Sequence, residues 1–193
     1  MNRAVLLAIF AIVAVAQLAV PAQMIWSRET IMDEGALYKF LAQPIDPYDP
    51  FQGRYVSLSV GQMRAPLPKE WYPVYGESVY ATLGTDEEGY ATVKSVTQTP
   101  PEDGDYIRAT VQWVDDQGQE LSLDLPIDRY YMNEWAAPQA ERAYWDNQRQ
   151  EDTDVYVTVR VLAGEIVIGG LFIDDVPIEE YVRTMATTDG GNP

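Results

Sequence analysis

The side chains of this chain that could do chemistry are carboxylates, serines, lysines and tyrosines, because it contains neither histidine nor cysteine. Without histidine, Ser-His-Asp and Cys-His catalysis cannot be built, and the commonest metal ligand is missing. Without cysteine, neither a disulfide nor a thiolate metal site can form. We therefore predict no catalytic residue, no cofactor-binding residue and no metal ligand, and we expect a protein that is not an enzyme.

Carboxylates are the most abundant reactive groups, with 30 Asp and Glu against 13 Lys and Arg and a net charge of −17. Such a surface repels phosphate backbones, which argues against nucleic-acid binding. It also contains no polybasic run that would bind anionic lipid. No spacing selects a carboxylate pair for glycoside hydrolysis. A Ca²⁺ site at Asp46 and Asp49 is conceivable, but turn chemistry accounts for both residues without it.

A serine activated by a lysine is one nucleophile that the composition leaves open. Lys94, in a Thr-Val-Lys-Ser-Val stretch, and the segment 169–178 resemble parts of signal-peptidase-like β folds. A serine in a Ser-Met-x-Pro setting just after an apolar segment is missing, and Ser27 is the only serine near that place. A lysine base would also need strong desolvation to reach a useful pKa. A Ser/Lys hydrolase is thus a remote alternative.

Clustered aromatic residues offer a different chemistry, the stacking of sugar rings. Residues of this type are more often core or interface anchors than sugar platforms. A cell-wall or glycan-binding module is therefore an alternative, which a row of exposed rings would favour. The candidate rings are Trp71, Tyr72, Tyr75, Tyr130, Tyr131, Trp135, Tyr144 and Trp145.

The N-terminal segment predicts a membrane helix. Residues 4–20 carry a single polar side chain, Gln17, and the stretch to Trp26 is long enough to cross a bilayer at ~1.5 Å per residue. Arg3 precedes it and every acidic residue follows it, which favours an N-in, C-out orientation. A signal peptide cleaved after Ala22 competes with an uncleaved signal anchor, and the length of the run favours the anchor. We predict a single-pass inner-membrane protein with a periplasmic C-terminal domain.

The rest of the sequence predicts antiparallel β-hairpins. Alternating strands are predicted over 36–42, 54–60, 78–83, 90–97, 106–114, 120–125, 154–161 and 166–173. One soluble helix is predicted over 136–149, with Ala136, Ala140 and Tyr144 as its packing stripe. The predicted fold class is mainly β, with about eight to ten strands, one soluble helix and one transmembrane helix.

Three domains are predicted along the chain. Residues 1–26 form the membrane anchor and 27–185 a β-rich extracytoplasmic domain, in which 98–104 is where a division into two lobes would fall. Residues 186–193 are predicted to be a disordered tail.

A turn cluster at 46–50 precedes the segment Gly53-Arg54-Tyr55-Val56-Ser57-Leu58-Ser59-Val60. This segment resembles the signature of the GDYXXLXLP-motif family of uncharacterised bacterial membrane-anchored proteins. The flanking segments 44–51 and 129–134 resemble that family too. The resemblance implies the architecture and the location, but no activity.

The motif residues of unknown role are Gly53, Arg54, Tyr55 and Leu58. Arg54 stands where the motif has Asp, so a role that needs a carboxylate there is absent. Tyr55 and Leu58 face opposite ways in a regular strand, which leaves Tyr55, with Asp46 and Asp49, as the candidate partner contact. We expect a non-enzymatic binding or scaffold module for another membrane protein, without a cofactor.

Overall fold

A computed structural model of the chain describes residues 3–42, 55–57, 63–115, 120–127, 129–133, 136–148 and 153–189. These residues form three helices and eleven strands. The helices are α1 (Arg3–Glu34), α2 (Ala137–Gln148) and α3 (Ile178–Asp189). The strands are β1 (Ala36–Leu41), β2 (Tyr55–Ser57), β3 (Met63–Pro66), β4 (Ser78–Thr85), β5 (Ala91–Thr97), β6 (Tyr106–Asp115), β7 (Glu120–Asp124), β8 (Arg129–Tyr131), β9 (Val155–Leu162), β10 (Glu165–Ile173) and β11 (Val176–Pro177).

The strands form three antiparallel sheets, which confirms the predicted fold class. One sheet has the order β1-β9-β10-β11, a second has the order β3-β7-β6-β4-β5, and β2 pairs with β8. The edge strands β3 and β5 of the five-stranded sheet lie against each other, so this sheet curls into a nearly closed barrel. Two two-residue turns close hairpins of the four-stranded sheet, at 163–164 and 174–175, and all four residues have the positive φ that type I′ turns require.

The core is one continuous cluster to which both larger sheets and helices α2 and α3 contribute. The two-residue alternation read from the sequence accounts for most of the buried residues of β6, β7 and β9: Ile107, Ala109 and Val111, Leu121 and Leu123, and Val155, Val157, Val159 and Val161. The largest fully buried side chains are Tyr144, Phe40, Ile107, Leu121, Leu123, Leu171, Ile173 and Ile178. The stretch 98–104 connects β5 and β6, two strands of the same sheet.

Four elements were not predicted from the sequence. Residues 63–66, for which no strand was predicted, form the edge strand β3, which pairs with β7 although it ends on a proline. The short strands β8 and β11 and the second soluble helix, α3, were also not predicted. Helix α3 ends at Asp189, within the range 186–193 predicted as a tail, and residues 190–193 lie outside the described residues.

Three side chains depart from a strict two-residue alternation. Alternation from Ile107 would bury Trp113 in β6, but a bulge between Val111 and Trp113 shifts the register and leaves Trp113 39% exposed. Alternation would expose Ser122 in β7 and Tyr156 in β9, but both are buried.

Candidate functional site

The apolar N-terminal helix is continuous with the β domain. Helix α1 has 32 residues, its apolar window is not buried by the domain, and it is long and apolar enough to cross a membrane. It extends past the apolar segment to Glu34 and ends one residue before β1. The β domain therefore begins where the helix ends, with Gly35 alone between them.

One buried side chain and three hydrogen bonds hold this junction together. Ile31 is buried, and the Gly35 amide donates a hydrogen bond to the Ile31 carbonyl at 3.0 Å. The Arg160 guanidinium, from β9, donates to the Gly35 carbonyl at 2.9 Å. The Arg28 guanidinium donates to the Ile166 carbonyl of β10 at 3.2 Å. The last two turns of α1 are thus packed against the β9–β10 hairpin.

A groove of about 580 Å³ lies beside this junction. Three arginines from three separate elements line it: Arg28 of α1, Arg108 of β6 and Arg129 of β8. We call it the arginine groove. Its remaining walls come from the β8 tyrosines and from the start of β10, with Pro126, Tyr130, Tyr131, Gly164, Glu165, Ile166, Val167 and Ile168.

The arginine groove is cationic although the chain as a whole is strongly acidic. Among the described residues, its lining contains three arginines and one carboxylate, Glu165, whose Oε1 lies 3.3 Å from an Arg108 terminal nitrogen. Both side chains of that pair are exposed, so the pair adds little to stability. Each guanidinium group carries five N–H donors in a planar fork, which suits carboxylate and phosphate oxygens. The groove can therefore take an anionic group.

A second polar cluster joins the four-stranded sheet to the barrel. The Tyr38 hydroxyl of β1 donates to Asp105, just before β6, at 2.9 Å. The Tyr90 hydroxyl, directly before β5, donates to the Asp154 carboxylate, directly before β9, at 2.9 Å. These two hydrogen bonds tie the sheets to each other at separate points.

Tyr156 extends the same cluster. Its hydroxyl donates to Asp175, the Lys39 ammonium lies 4.5 Å from its ring centroid, and its ring stacks on Phe172. The hydrogen bond from Tyr156 and the nearby Lys39 ammonium lower the pKa of Asp175. Tyr90 packs edge-on against Tyr156. The hydroxyl groups of Tyr38, Tyr90 and Tyr156 all have hydrogen-bond partners within this cluster. We therefore interpret the cluster as a structural connection.

The tyrosine–carboxylate pairs predict a loss of stability in alkali. Burial, and then the hydrogen bond and charge of the neighbouring carboxylate, raise the pKa of Tyr38 and of Tyr90 from 10.0 to about 12. A group that holds its proton more tightly in the folded state stabilises the fold fully below the unfolded pKa and loses that effect as pH rises through the folded pKa. We expect the free energy of unfolding to fall between about pH 10 and about pH 12.

Urea unfolding across that pH range measures this loss. The double variant Tyr38→Phe and Tyr90→Phe should show a clearly shallower decline with pH than the wild-type chain. Tyr75→Phe is the matched control because Tyr75 is 79% exposed, and it should leave the slope unchanged. Equal slopes for the double variant and the wild type would contradict the assignment.

A second groove, of about 480 Å³, lies where β1 meets the barrel. Phe40, Arg64, Tyr90 and Trp113 contribute to its lining, as does Ser122. The Ser122 hydroxyl is the one buried side-chain polar atom without a hydrogen-bond partner in the described part of the chain. A buried, unpartnered hydroxyl is costly, and this one shares its groove with two charged residues, Arg64 and Asp86.

Most of the predicted motif and contact residues lie outside the described residues: Asp46, Asp49, Gly53, Arg54 and Leu58. Tyr55 begins β2, and its backbone pairs with Tyr131 of β8. Because Tyr131 lines the arginine groove, the strand that carries the motif tyrosine runs beside the strand that forms one wall of the groove.

The aromatic residues proposed as sugar platforms separate into two groups. Tyr144 is fully buried, while Tyr130, Trp71 and Trp145 are partly buried and packed against the core, and the Tyr130 hydroxyl donates to Glu179. Tyr72, Tyr75 and Tyr131 are 60%, 79% and 69% exposed. Trp135 lies outside the described residues.

The acidic hairpin tip after β4 is explained by turn chemistry. The Asp86 carboxylate accepts hydrogen bonds from the backbone amides of Glu88 and Tyr90. Among the residues that the structure describes, no group of three or more acidic side chains is arranged to hold a metal ion. The lysine suggested as a hydrolase base, Lys94, is exposed, and its aliphatic stem lies over Gly84 of the neighbouring strand.

The fold defines the class of protein, which is a mainly β domain fused to one N-terminal apolar helix. Within that class, the model of the GDYXXLXY protein family matches residues 17–171, and the chain belongs to this family. Against the motif in the family's name, this chain departs at two positions, with Arg54 in place of Asp and Val60 in place of Tyr. No curated protein and no solved structure matches the chain.

Proposed function

We propose that α1 is an uncleaved signal anchor and that the β domain is a non-enzymatic module, held at the outer surface of the membrane, that binds or supports another membrane protein. The observation that carries this proposal is the junction of α1 with the β9–β10 hairpin. A helix that continues into the domain and is packed against it fixes the height and the orientation of the domain above the bilayer. A flexible tether would do neither.

The exposed surface of α1 supports the anchor over the cleaved signal peptide. Cleavage after Ala22 would leave a helical stub with Met24, Ile25 and Trp26 all more than 60% exposed to water. In a bilayer these side chains lie at the interface, where a tryptophan is favourable. The N-in, C-out orientation places the domain in the periplasm of a bacterial cell, and a periplasm-active reporter at the C terminus tests that orientation.

An exposed loop between β3 and β4 offers the surface for a protein partner. Tyr72, Val74 and Tyr75 are each at least 60% exposed within four consecutive positions. The end of the loop is anchored to β6, because the Gly76 amide donates to the Val111 carbonyl at 2.8 Å. Rigid, exposed aromatic side chains lose little conformational entropy when they are covered by a partner. We call residues 72–75 the aromatic loop.

Photocrosslinking in intact membranes tests the binding role. A photoreactive amino acid in place of Tyr75 should give a discrete protein adduct. The same amino acid in place of Glu102, which is exposed between β5 and β6, should not. Recovery of only bulk lipid and abundant porins from the Tyr75 position would contradict the proposal.

The same loop favours glycan binding as a second candidate. Tyr72 and Tyr75 present two exposed rings, and an exposed aromatic ring can stack on a sugar face. Pull-down with insoluble cell-wall polymer separates the candidates. Binding that is lost in Tyr72→Ala and Tyr75→Ala would support the glycan module, and a protein adduct without polymer binding would support the partner module.

A further inference from the structure

We propose that the arginine groove binds the phosphate of an anionic phospholipid headgroup in the leaflet next to the β domain. This inference rests on the proposed membrane insertion of α1. It adds a lipid ligand, which the acidic composition alone argues against. The ligand class is a phosphodiester that carries a net negative charge, as in phosphatidylglycerol.

The position of the groove along α1 is the first argument. Arg28 lines the groove and lies two residues beyond Trp26, which is about 3 Å along the helix axis. The headgroup layer on each side of a bilayer is about 5–8 Å thick. If the hydrocarbon ends near Trp26, the Arg28 guanidinium lies within that layer, at the depth of the lipid phosphates.

The charge of the groove is the second argument. The chain has 13 basic residues against 30 acidic ones, yet the part of this groove's lining that the structure describes has three arginines and one glutamate. An acidic domain held close to an anionic bilayer is repelled unless the surface that faces the lipid is cationic. The three arginines come from positions 28, 108 and 129, so the fold, rather than a basic run in the sequence, gathers them.

The contacts of the arginines are the third argument. Arg28 uses one terminal nitrogen for the Ile166 carbonyl, and Arg108 uses one for Glu165. A guanidinium group has five N–H donors, so neither of these single contacts uses all the donors of its arginine. A phosphate that enters the groove would compete with Glu165 for Arg108, and the exposed Glu165 side chain can turn into solvent at little cost.

The two tyrosines of β8 are of a residue type that is favourable at the depth of the lipid headgroups. Tyr131 is 69% exposed at the edge of the groove, and Tyr130 is held by its hydrogen bond to Glu179 in α3. Tyrosine is enriched at the membrane–water interface, because its ring is apolar and its hydroxyl is polar. The wall of the groove therefore matches the boundary between acyl chains and headgroups.

Lipid titration of the full-length protein tests the inference. The apparent Kd for phosphatidylglycerol is measured by native mass spectrometry in neutral detergent, with phosphatidylcholine as the zwitterionic comparison. Arg108→Gln and Arg129→Gln should each weaken phosphatidylglycerol binding about fivefold, the effect of removing one basic residue near an anionic surface. Phosphatidylcholine binding should be weak and unchanged in both variants.

Arg64→Gln is the matched control. Arg64 is an exposed arginine of the same barrel, paired with Glu120 at 3.6 Å as Arg108 is paired with Glu165 at 3.3 Å, and it lies outside the arginine groove. It should leave the affinity for phosphatidylglycerol unchanged. Melting curves of all three variants confirm that each remains folded.

Three outcomes would overturn the inference: equal affinities for the two lipids, equal affinities of the groove variants and Arg64→Gln, or inorganic phosphate binding as tightly as phosphatidylglycerol. The last would make the groove a site for free phosphate. The titration uses the full chain. Cleavage of α1 in cells would therefore contradict the proposed signal anchor without affecting the measured lipid affinities. An intact α1 without lipid selectivity would overturn only the groove.

Discussion

Gly35→Ala is expected to lower the free energy of unfolding by about 3 kcal/mol, the upper part of the range for forcing an atom into a packed region. A Cβ atom on Gly35 would lie 2.4 Å from the Ile31 carbonyl oxygen and 3.2 Å from two backbone atoms of Val161. Because all three neighbours are backbone, none can move without displacing the end of α1 or strand β9. The junction that fixes the domain to the helix would therefore be distorted.

Chemical denaturation in detergent micelles measures this loss. Gly76→Ala is the control, since Gly76 has a φ of +79° but no atom within 4 Å of the added Cβ. That change should cost only the left-handed backbone strain, about 1–2 kcal/mol. If Gly35→Ala were as mild as Gly76→Ala, the helix and the sheet would not be tightly joined.

Phe40→Ala is expected to lower the free energy of unfolding by about 4 kcal/mol, as truncation of a buried phenylalanine usually does. Phe40 is 1% exposed and lies in β1, the strand that follows the junction, opposite Val157 of β9. Its ring belongs to the core cluster shared by the two larger sheets. Removing it would leave a cavity between the sheets.

Leu37→Ala is the matched control for Phe40→Ala. Leu37 lies on the same strand but faces the other way and is 53% exposed, so its truncation should cost less than about 1 kcal/mol. Both variants can be compared by urea unfolding of the detergent-solubilised chain. A cost for Phe40→Ala close to that of Leu37→Ala would mean that β1 contributes little to the common core.

Local patterns were sufficient for most of the fold. The two-residue alternation of β9 gave its four buried valines, and the apolar run gave the helix at the N terminus. The pattern failed where the structure departs from a regular strand. The bulge in β6 turned Trp113 outward, and no residue type at that place marks a bulge. Strand β3 was hidden by the prolines around it, because proline is tolerated in an edge strand.

The arginine groove could not be predicted from the sequence. Arg28, Arg108 and Arg129 are separated by 80 and 21 positions, so no window along the chain shows a basic cluster. They come together because β6 and β8 lie beside β10, against which α1 packs. The sequence contains no basic run, and the cationic surface arises because tertiary contacts bring the three arginines together.

The intact mass of the protein isolated from membranes tests the central claim, that α1 remains attached and holds the domain at the membrane. We expect a membrane-bound chain whose mass includes the residues of α1 that precede Ala22. A shorter chain that begins after Ala22 and is recovered in the soluble periplasmic fraction would contradict it.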